Sequence, residues 1–504
     1  MIDKIEVESI SGWKNLTPEQ HETVRQWIAQ FGPSFNGNAL THLETMIGRM
    51  VKENANGKTS PTVPARDESR SVAEEIETVT VQRPHREVGR DYLQRVLSKT
   101  IKGDDTNKEI AFLAMLSAFT DDNQMNISFN GRSSTGKSYL PLELMSLFPK
   151  EDVLDFGKVS PMAFFHDESK YDATKQAHIV DFERKVLIFT DMPHPQLLEH
   201  LRSLLSHDKK VIVAKITDKT DKGGMKAKNI HLIGYPSVIF CSANMKMDEQ
   251  EATRFILLSP ETSQQKILDS IDLKLKRAGD EEAFNKSLDA DPEREDLKRR
   301  ILAIRNEKIG TVKLGSEPLL RNGFMKLFDG NLPPRAMRDI GTVIRLAKSF
   351  AVLNCWYRRD AGGSIVSNTE DAVMALSLYK EISKSQELGL APAVVQIFEE
   401  AIVPACLKAK TNGKAGASRA DVMQEYSNVA GGKLPDYLLK RQIIPALMGA
   451  GLIDEEPDPD DKRRKLIIVL EQKVSNGGTG LQGLAQELEA VSATQTTNSR
   501  PKAA

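Results

Sequence analysis

The chain has 504 residues, 40% of them apolar, so it is long enough for several packed cores, and its length predicts about three domains. A formal net charge of −1 with 28% charged residues excludes a globally basic polyanion binder, leaving any nucleic-acid contact to a local patch. Cys241, Cys355 and Cys406 have neither metal spacing nor a disulfide pattern, the first residues lack a secretion signal, and no apolar run approaches the ~20 residues that cross a bilayer, so a cytoplasmic protein without a membrane partner is expected.

Residues 1–50 predict a small helical region. Thr17-Pro18-Glu19-Gln20 is a helix start, and Val24, Trp27, Ile28 and Phe31 follow at helical spacing. Residues 51–89 are polar, with Pro61, Pro64 and Pro84, and read as a flexible linker.

From 90 to 260 short apolar runs alternate with helical patterns. The runs at 125–129, 186–189, 211–214 and 238–241 are continuous, as a parallel sheet buried on both faces requires. Gly131-Arg132-Ser133-Ser134-Thr135-Gly136-Lys137-Ser138 lies between the first run and a helical segment, and is a complete G-x-x-x-x-G-K-[ST] phosphate loop. Gly131 and Gly136 take backbone angles that other residues resist, so successive N–H groups can curl around a phosphate at a helix N-terminus. Lys137 brings charge to the outer phosphates, and the Ser138 hydroxyl is a ligand for Mg²⁺. The expected fold class is therefore α/β with a P-loop ATPase core, and the expected cofactors are ATP and Mg²⁺.

The run Val186-Leu187-Ile188-Phe189-Thr190-Asp191 puts Asp191 at a strand exit, where it can hold Mg²⁺ or polarise water; the same position also suits an ordinary turn-capping Asp. A later run ends in Ser242-Ala243-Asn244, whose amide can orient water near a terminal phosphate. Arg254, in Thr253-Arg254-Phe255, can stabilise transition-state charge on a neighbouring subunit's nucleotide. Residues 261–392 are mostly helical: 280–305 reads as a solvated charged pair, and an apolar stripe at period 3.6 runs from Ile340 to Leu353. Residues 393–472 show three helices and a two-stranded hairpin, the winged-helix pattern. Residues 473–504, rich in Gly, Ser, Thr and Gln, read as a disordered tail.

The order of phosphate loop, acidic strand end, lysine-rich hairpin, Ser242-Ala243-Asn244 and Thr253-Arg254-Phe255 resembles the AAA+ core of minichromosome maintenance (MCM) helicases. It also resembles the MCM-like and superfamily-three helicases of phages and mobile elements. Arg338-Asp339-Ile340-Gly341-Thr342-Val343-Ile344-Arg345-Leu346-Ala347-Lys348 is similar to the MCM lid helix, and a C-terminal winged helix is typical of that family. The resemblance implies that Lys137 and Ser138 bind phosphate and Mg²⁺, and that Asn244 is the sensor-one residue. It makes Arg254 the arginine finger, and Arg338 the sensor-two arginine acting on the adjacent subunit's nucleotide. Two departures stand out. The family's Asp-Glu strand end is Thr190-Asp191 here, leaving one carboxylate, and no paired cysteines mark an N-terminal zinc domain.

Between the acidic run and the Asn run, residues 209–228 gather seven lysines against two aspartates around Gly223-Gly224, a hairpin turn. This is where the resemblance places a hairpin that projects into a central channel. Lys219, Lys222, Lys226 and Lys228 are the candidates to grip single-stranded DNA; a solvated charged loop is the alternative. In the winged helix, basic Lys440, Arg441 and 462–465 are offset by acids at 454–461, so protein binding competes with DNA binding there. The expected function is an ATP-dependent DNA helicase or translocase, assembled as a homo-oligomeric, hexameric ring in replication of a mobile element, plasmid or phage. The alternative is a nucleotide-switched DNA-binding scaffold or loader with little translocation.

Overall fold

The computed structural model describes residues 84–166, 170–218, 226–243, 253–328, 332–333, 335–459 and 461–470, with Leu16, Thr17, Gln20, His21, Val24 and Ile47 before them. The chain divides into two units, Met1–Val81 and Gln82–Ala504. In the first, the Thr17 N–H donates to Gln20 Oε1 (2.9 Å) and the Gln20 N–H to Thr17 Oγ1 (3.3 Å), the reciprocal cap that this sequence predicts. Most of residues 1–83, and the tail after Leu470, lie outside the described residues.

Among its described residues the second unit carries twelve strands: β1 (Ile127–Asn130), β2 (Val153–Phe156), β3 (Lys170–Asp172), β4 (Ala177–Asp181), β5 (Val186–Phe189), β6 (Val211–Asp218), β7 (Lys226–Ile233), β8 (Ser237–Ser242), β9 (Ile256–Leu258), β10 (Ala417–Ser418), β11 (Ile453–Pro457) and β12 (Lys465–Val469). Five of them form the central sheet in the order β2-β5-β8-β1-β9, and every pair is parallel. The continuous apolar runs follow from burial on both faces. Val186, Ile188, Ile239 and Cys241 enter one core, while Leu187, Phe189, Val238 and Phe240 enter another. The first core is covered by the helices Asp105–Ser117, Ala336–Leu353 and Thr369–Leu388, and the second by Pro195–Leu205.

The run at 211–214 was expected in this parallel sheet and is not there. It belongs to β6, in a second sheet ordered β3-β4-β7-β6, where β6 and β7 form a long antiparallel hairpin. Ile212, Ala214 and Ile216 pack toward the core while Val211 and Val213 stand exposed. The apolar side chains on both faces of this edge strand mimic a doubly buried one. The stretch 280–305 is also less solvated than expected. It forms the helices Glu281–Asp289 and Pro292–Asn306, and the second buries Leu297, Ile301 and Ile304 together with Arg294 and Arg300.

C-terminal to the helix Thr369–Leu388, the chain has its own core, built on Val394, Phe398, Ile402, Leu439, Leu447 and Ile467. Helices span Pro392–Ile397, Val403–Thr411, Arg419–Ala430 and Ile444–Gly449, with π-turns at Phe398–Ile402 and Leu439–Ile443. The antiparallel pair β11 and β12 gains a short third strand, β10, beyond the two expected. Among the described residues no single helix is long and apolar enough to cross a membrane.

Candidate functional site

The phosphate loop leaves the C-terminal end of β1 and enters the helix Tyr139–Met145. Gly131 donates its N–H to the Ser242 carbonyl (3.1 Å), which ties the loop's first residue to the end of β8. Ser134 holds φ 66° and Gly136 φ 92°, both left-handed, so the backbone winds into the cup that phosphate binding needs. At Gly131 the limit is space instead: an added Cβ would stand 3.2 Å from Thr135 Oγ1 and 3.3 Å from Pro260 Cδ. Thr135 Oγ1 donates to the Arg132 carbonyl (2.9 Å), and Lys137 Nζ donates to the same oxygen (3.2 Å). The loop is therefore preshaped, with the lysine held across its own mouth. Ser133 lies exposed within the turn.

Ser138 Oγ donates to the Thr190 carbonyl (3.2 Å), so the exit of β5 comes directly to the base of the loop and leaves Asp191 exposed beside it. The donor set is a hydroxyl and one carboxylate, both hard oxygens. That fits Mg²⁺, which takes one or two protein ligands and fills its shell with phosphate and water. Among the described residues no group of three or more His, Cys, Asp or Glu forms a cage of its own. Thr190 does not replace the missing acid, because its Oγ1 turns to the Phe156 carbonyl (3.3 Å). Beneath the loop, Cys241 Sγ donates to the Lys137 carbonyl (3.2 Å), and burial pushes its thiol up to about 11. Asn244 lies outside the described residues; its strand, β8, ends at Ser242.

Arg254 and Arg338 come together, but not at this loop. They line one cavity of about 430 Å³ with Arg335, Arg345 and His207, walled by Gln124, Met125 and Asn126. Those last three residues precede β1, and Arg254 precedes β9, whose Ile256 pairs with Ile127 at the start of β1. The arginine cavity thus sits at the N-terminal edge of the sheet and the phosphate loop at its C-terminal edge. At ~3.3 Å per residue, the five steps from Asn126 to Gly131 put them roughly 17 Å apart along β1. Arg254 Nε donates to Ser206 Oγ (2.9 Å), while Arg338 is exposed.

Two members of this cavity went unread in the sequence. Arg335 and Arg345 lie three residues before and seven after Arg338, a spacing that keeps all three near one face of the helix Ala336–Leu353. Arg335 donates to Asp339 (3.2 Å), and burial lowers Arg345 from its ordinary value. His207 is held well below its ordinary value, at about 4, by burial and then by the Arg345 charge.

A second cavity, of about 480 Å³, opens beside the phosphate loop. Ser134, Thr135 and Gly136 form one wall, and Ile101, Tyr139, Ile267 and Ile271 are among the others. An apolar slot touching a phosphate loop has the shape and chemistry to take a nucleoside.

The lysine hairpin is present as β6 and β7, with Asp218 opposite Lys226 and Ile216 opposite Lys228. Lys228 is half-buried, Lys226 is placed only by its strand position, and Lys219 and Lys222 lie outside the described residues.

Residues 91–301 match the family described as MTBMA_p00010 P-loop domain. No curated protein matches the chain. The matched span holds the phosphate loop, the whole central sheet and both strands of the lysine hairpin, so the match supports a P-loop domain, a kind of domain that implies nucleotide binding.

Proposed function

We propose that the chain is an ATP-driven DNA helicase or translocase of AAA+ type, working as a homo-oligomeric ring. One observation carries this reading: the four arginines share a cavity at the edge of the sheet opposite the phosphate loop. Across roughly 17 Å, Arg254 cannot touch phosphate held by its own loop. A second copy stacked head-to-tail can supply phosphate to that cavity, and repetition of one such contact closes into a ring. In this arrangement Lys137 and Ser138 hold and orient the phosphates in cis, while Asp191 polarises the attacking water. Arg254 and Arg338 neutralise developing charge in trans, and Arg335 and Arg345 support them. Asn244 orients the attacking water. Mg²⁺ held at Ser138 and Asp191 would supply charge neutralisation when bound.

The DNA half of the proposal rests on the β6–β7 pair: β7 carries Lys226 and Lys228, and the sequence between the two strands carries Lys219 and Lys222, within a chain of net charge −1. The residues from Ala336 fit a lid. The C-terminal core, with three helical segments and β10-β12-β11, fits a winged helix. A second reading, a nucleotide-switched scaffold with little translocation, is favoured by Thr190. Its hydroxyl caps Phe156 and leaves Asp191 as the one acid at the strand exit.

Strand displacement on a forked duplex with ATP separates the two. The wild type is expected to unwind the fork, with Lys137→Ala losing nucleotide binding and Arg254→Ala keeping binding but losing hydrolysis. A wild type with no DNA-stimulated hydrolysis and no unwinding would leave the scaffold reading standing. For the hairpin, replacing Lys222 and Lys226 with Ala should lower the slope of log affinity against log salt by about 1.4, at ~0.7 per single-strand phosphate contact. An unchanged slope removes those contacts.

A further inference from the structure

The helix Gln264–Gly279 is attached to the body by its polar side. Lys266 makes a buried ion pair with Asp104, and Arg277 Nη1 meets Glu143 at 2.8 Å. Lys266 is the one residue of this helix that is buried, and Leu273 is half-buried. At about 100° per residue, Lys266, Leu273 and Arg277 fall within one narrow arc. Ile267, Ile271, Leu275 and Leu268 fall on a different arc, about 100° wide, with Ile267 and Ile271 on the side that borders the phosphate-loop cavity and Leu268 and Leu275 on the side turned from the body. They are 42%, 47%, 65% and 55% exposed. A sixteen-residue helix draws its stability from covering its apolar stripe, and among the described residues nothing covers Leu268 and Leu275.

The position of the stripe identifies what covers it. Ile267 and Ile271 share a cavity with Ser134, Thr135 and Gly136, so the stripe borders the phosphate loop. Glu143, the anchor of Arg277, lies on the helix that leaves that loop. At the other edge of the molecule, Met337 stands between Arg335 and Arg338 and is 82% exposed. Beside it runs an apolar groove of about 540 Å³ lined by Leu314, Leu320, Phe324, Leu332 and Ile340. Any copy that brings its four arginines to the phosphates of a neighbour also brings Met337 and this groove. The charges pair as the apolar surfaces do, with arginines against phosphate.

We propose that the stripe Ile267, Leu268, Ile271 and Leu275 is one half of the subunit interface, and that Met337 with its neighbouring groove on a second copy is the other half. This rests on the shared-site reading above. The interface is heterologous, since the two halves lie on different parts of one chain, and it is closed by nucleotide, because bound phosphate completes the charge match.

The test uses full-length chains bearing Leu275→Cys in one preparation and Met337→Cys in another. Background is low because Cys241, Cys355 and Cys406 are buried. After mixing with Mg²⁺ and a non-hydrolysable ATP analogue, mild oxidation should give a mixed disulfide that neither preparation forms alone and that is lost without nucleotide. In parallel, Leu268→Asp with Leu275→Asp should weaken nucleotide-dependent assembly by at least about tenfold in sedimentation. Nucleotide affinity of the unassembled chain, measured at dilution, and far-UV circular dichroism should stay at wild-type values, since both side chains are exposed and outside the nucleotide cavity. If the wild type assembles with nucleotide but no mixed disulfide forms and the Asp variant still assembles, the interface is overturned while the shared site survives. The stripe would then belong to residues 1–81 or to a lipid surface, which protease protection and vesicle flotation would reveal. If the wild type does not assemble at all, the shared-site reading fails and the interface with it.

Discussion

Individual residues in this molecule are constrained by backbone shape as much as by chemistry. His207 holds φ 59° and packs against Tyr235 at 4.6 Å, with Nε2 3.3 Å from Gln124 Oε1. Burial and Arg345 keep its imidazole neutral, at about 4 against an ordinary 6.5. The unfolded chain therefore binds the extra proton first, so the contribution of His207 to stability is complete above pH 6.5 and is lost as pH falls from there through about 4. The thermal midpoint should fall over that interval. The fall should be shallower in His207→Asn, which tolerates the left-handed backbone and carries no charge. An identical pH slope in the variant would assign the loss to other groups. The eight residues of the phosphate loop were legible because each has one job at fixed spacing. The roles of Arg335 and Arg345 were not, since a lone arginine on an apolar-striped helix has no signature until the helix is placed beside β9.

At the scale of elements, the β9 edge of the central sheet shows how the helices beyond the P-loop domain are joined to it. β9 pairs with β1 on one side alone, and on the other Gln386 takes the place of a neighbouring strand. Its Nε2 donates to the Leu257 carbonyl (2.7 Å), and its Oε1 accepts from the Leu257 N–H (3.1 Å). Gln386→Ala would strand both backbone groups in a buried place, and should destabilise the unit by about 2–4 kcal/mol in urea unfolding. A loss below about 1 kcal/mol would mean that water replaces the amide. The strands of the central sheet were readable from their continuous apolar runs, because burial on both faces removes alternation. β6 was misplaced for the same reason reversed: Val211 and Val213 are apolar yet exposed, so the pattern carries no sign of which sheet holds them. The helix Gln264–Gly279 was equally opaque. Its periodicity locates a stripe and says nothing about which way the stripe faces.

For the whole molecule, the separation of the arginine cavity from the phosphate loop decides what a defective copy does. Lys137→Ala keeps four intact arginines and Arg254→Ala keeps an intact loop, so each lacks what the other has. Mixed in equal amounts, the two inactive variants should recover a measurable fraction of wild-type hydrolysis, because some contacts pair a good loop with a good cavity. No recovery would require each chain to complete its own site. The same separation also sets the dependence of activity on amount. An enzyme whose site lies within one chain has a turnover per chain that is indifferent to dilution. With its two halves on opposite edges of the sheet, this chain should lose turnover per molecule as it is diluted below the concentration of half-assembly. In a cell, its activity would then switch on over a narrow range of abundance.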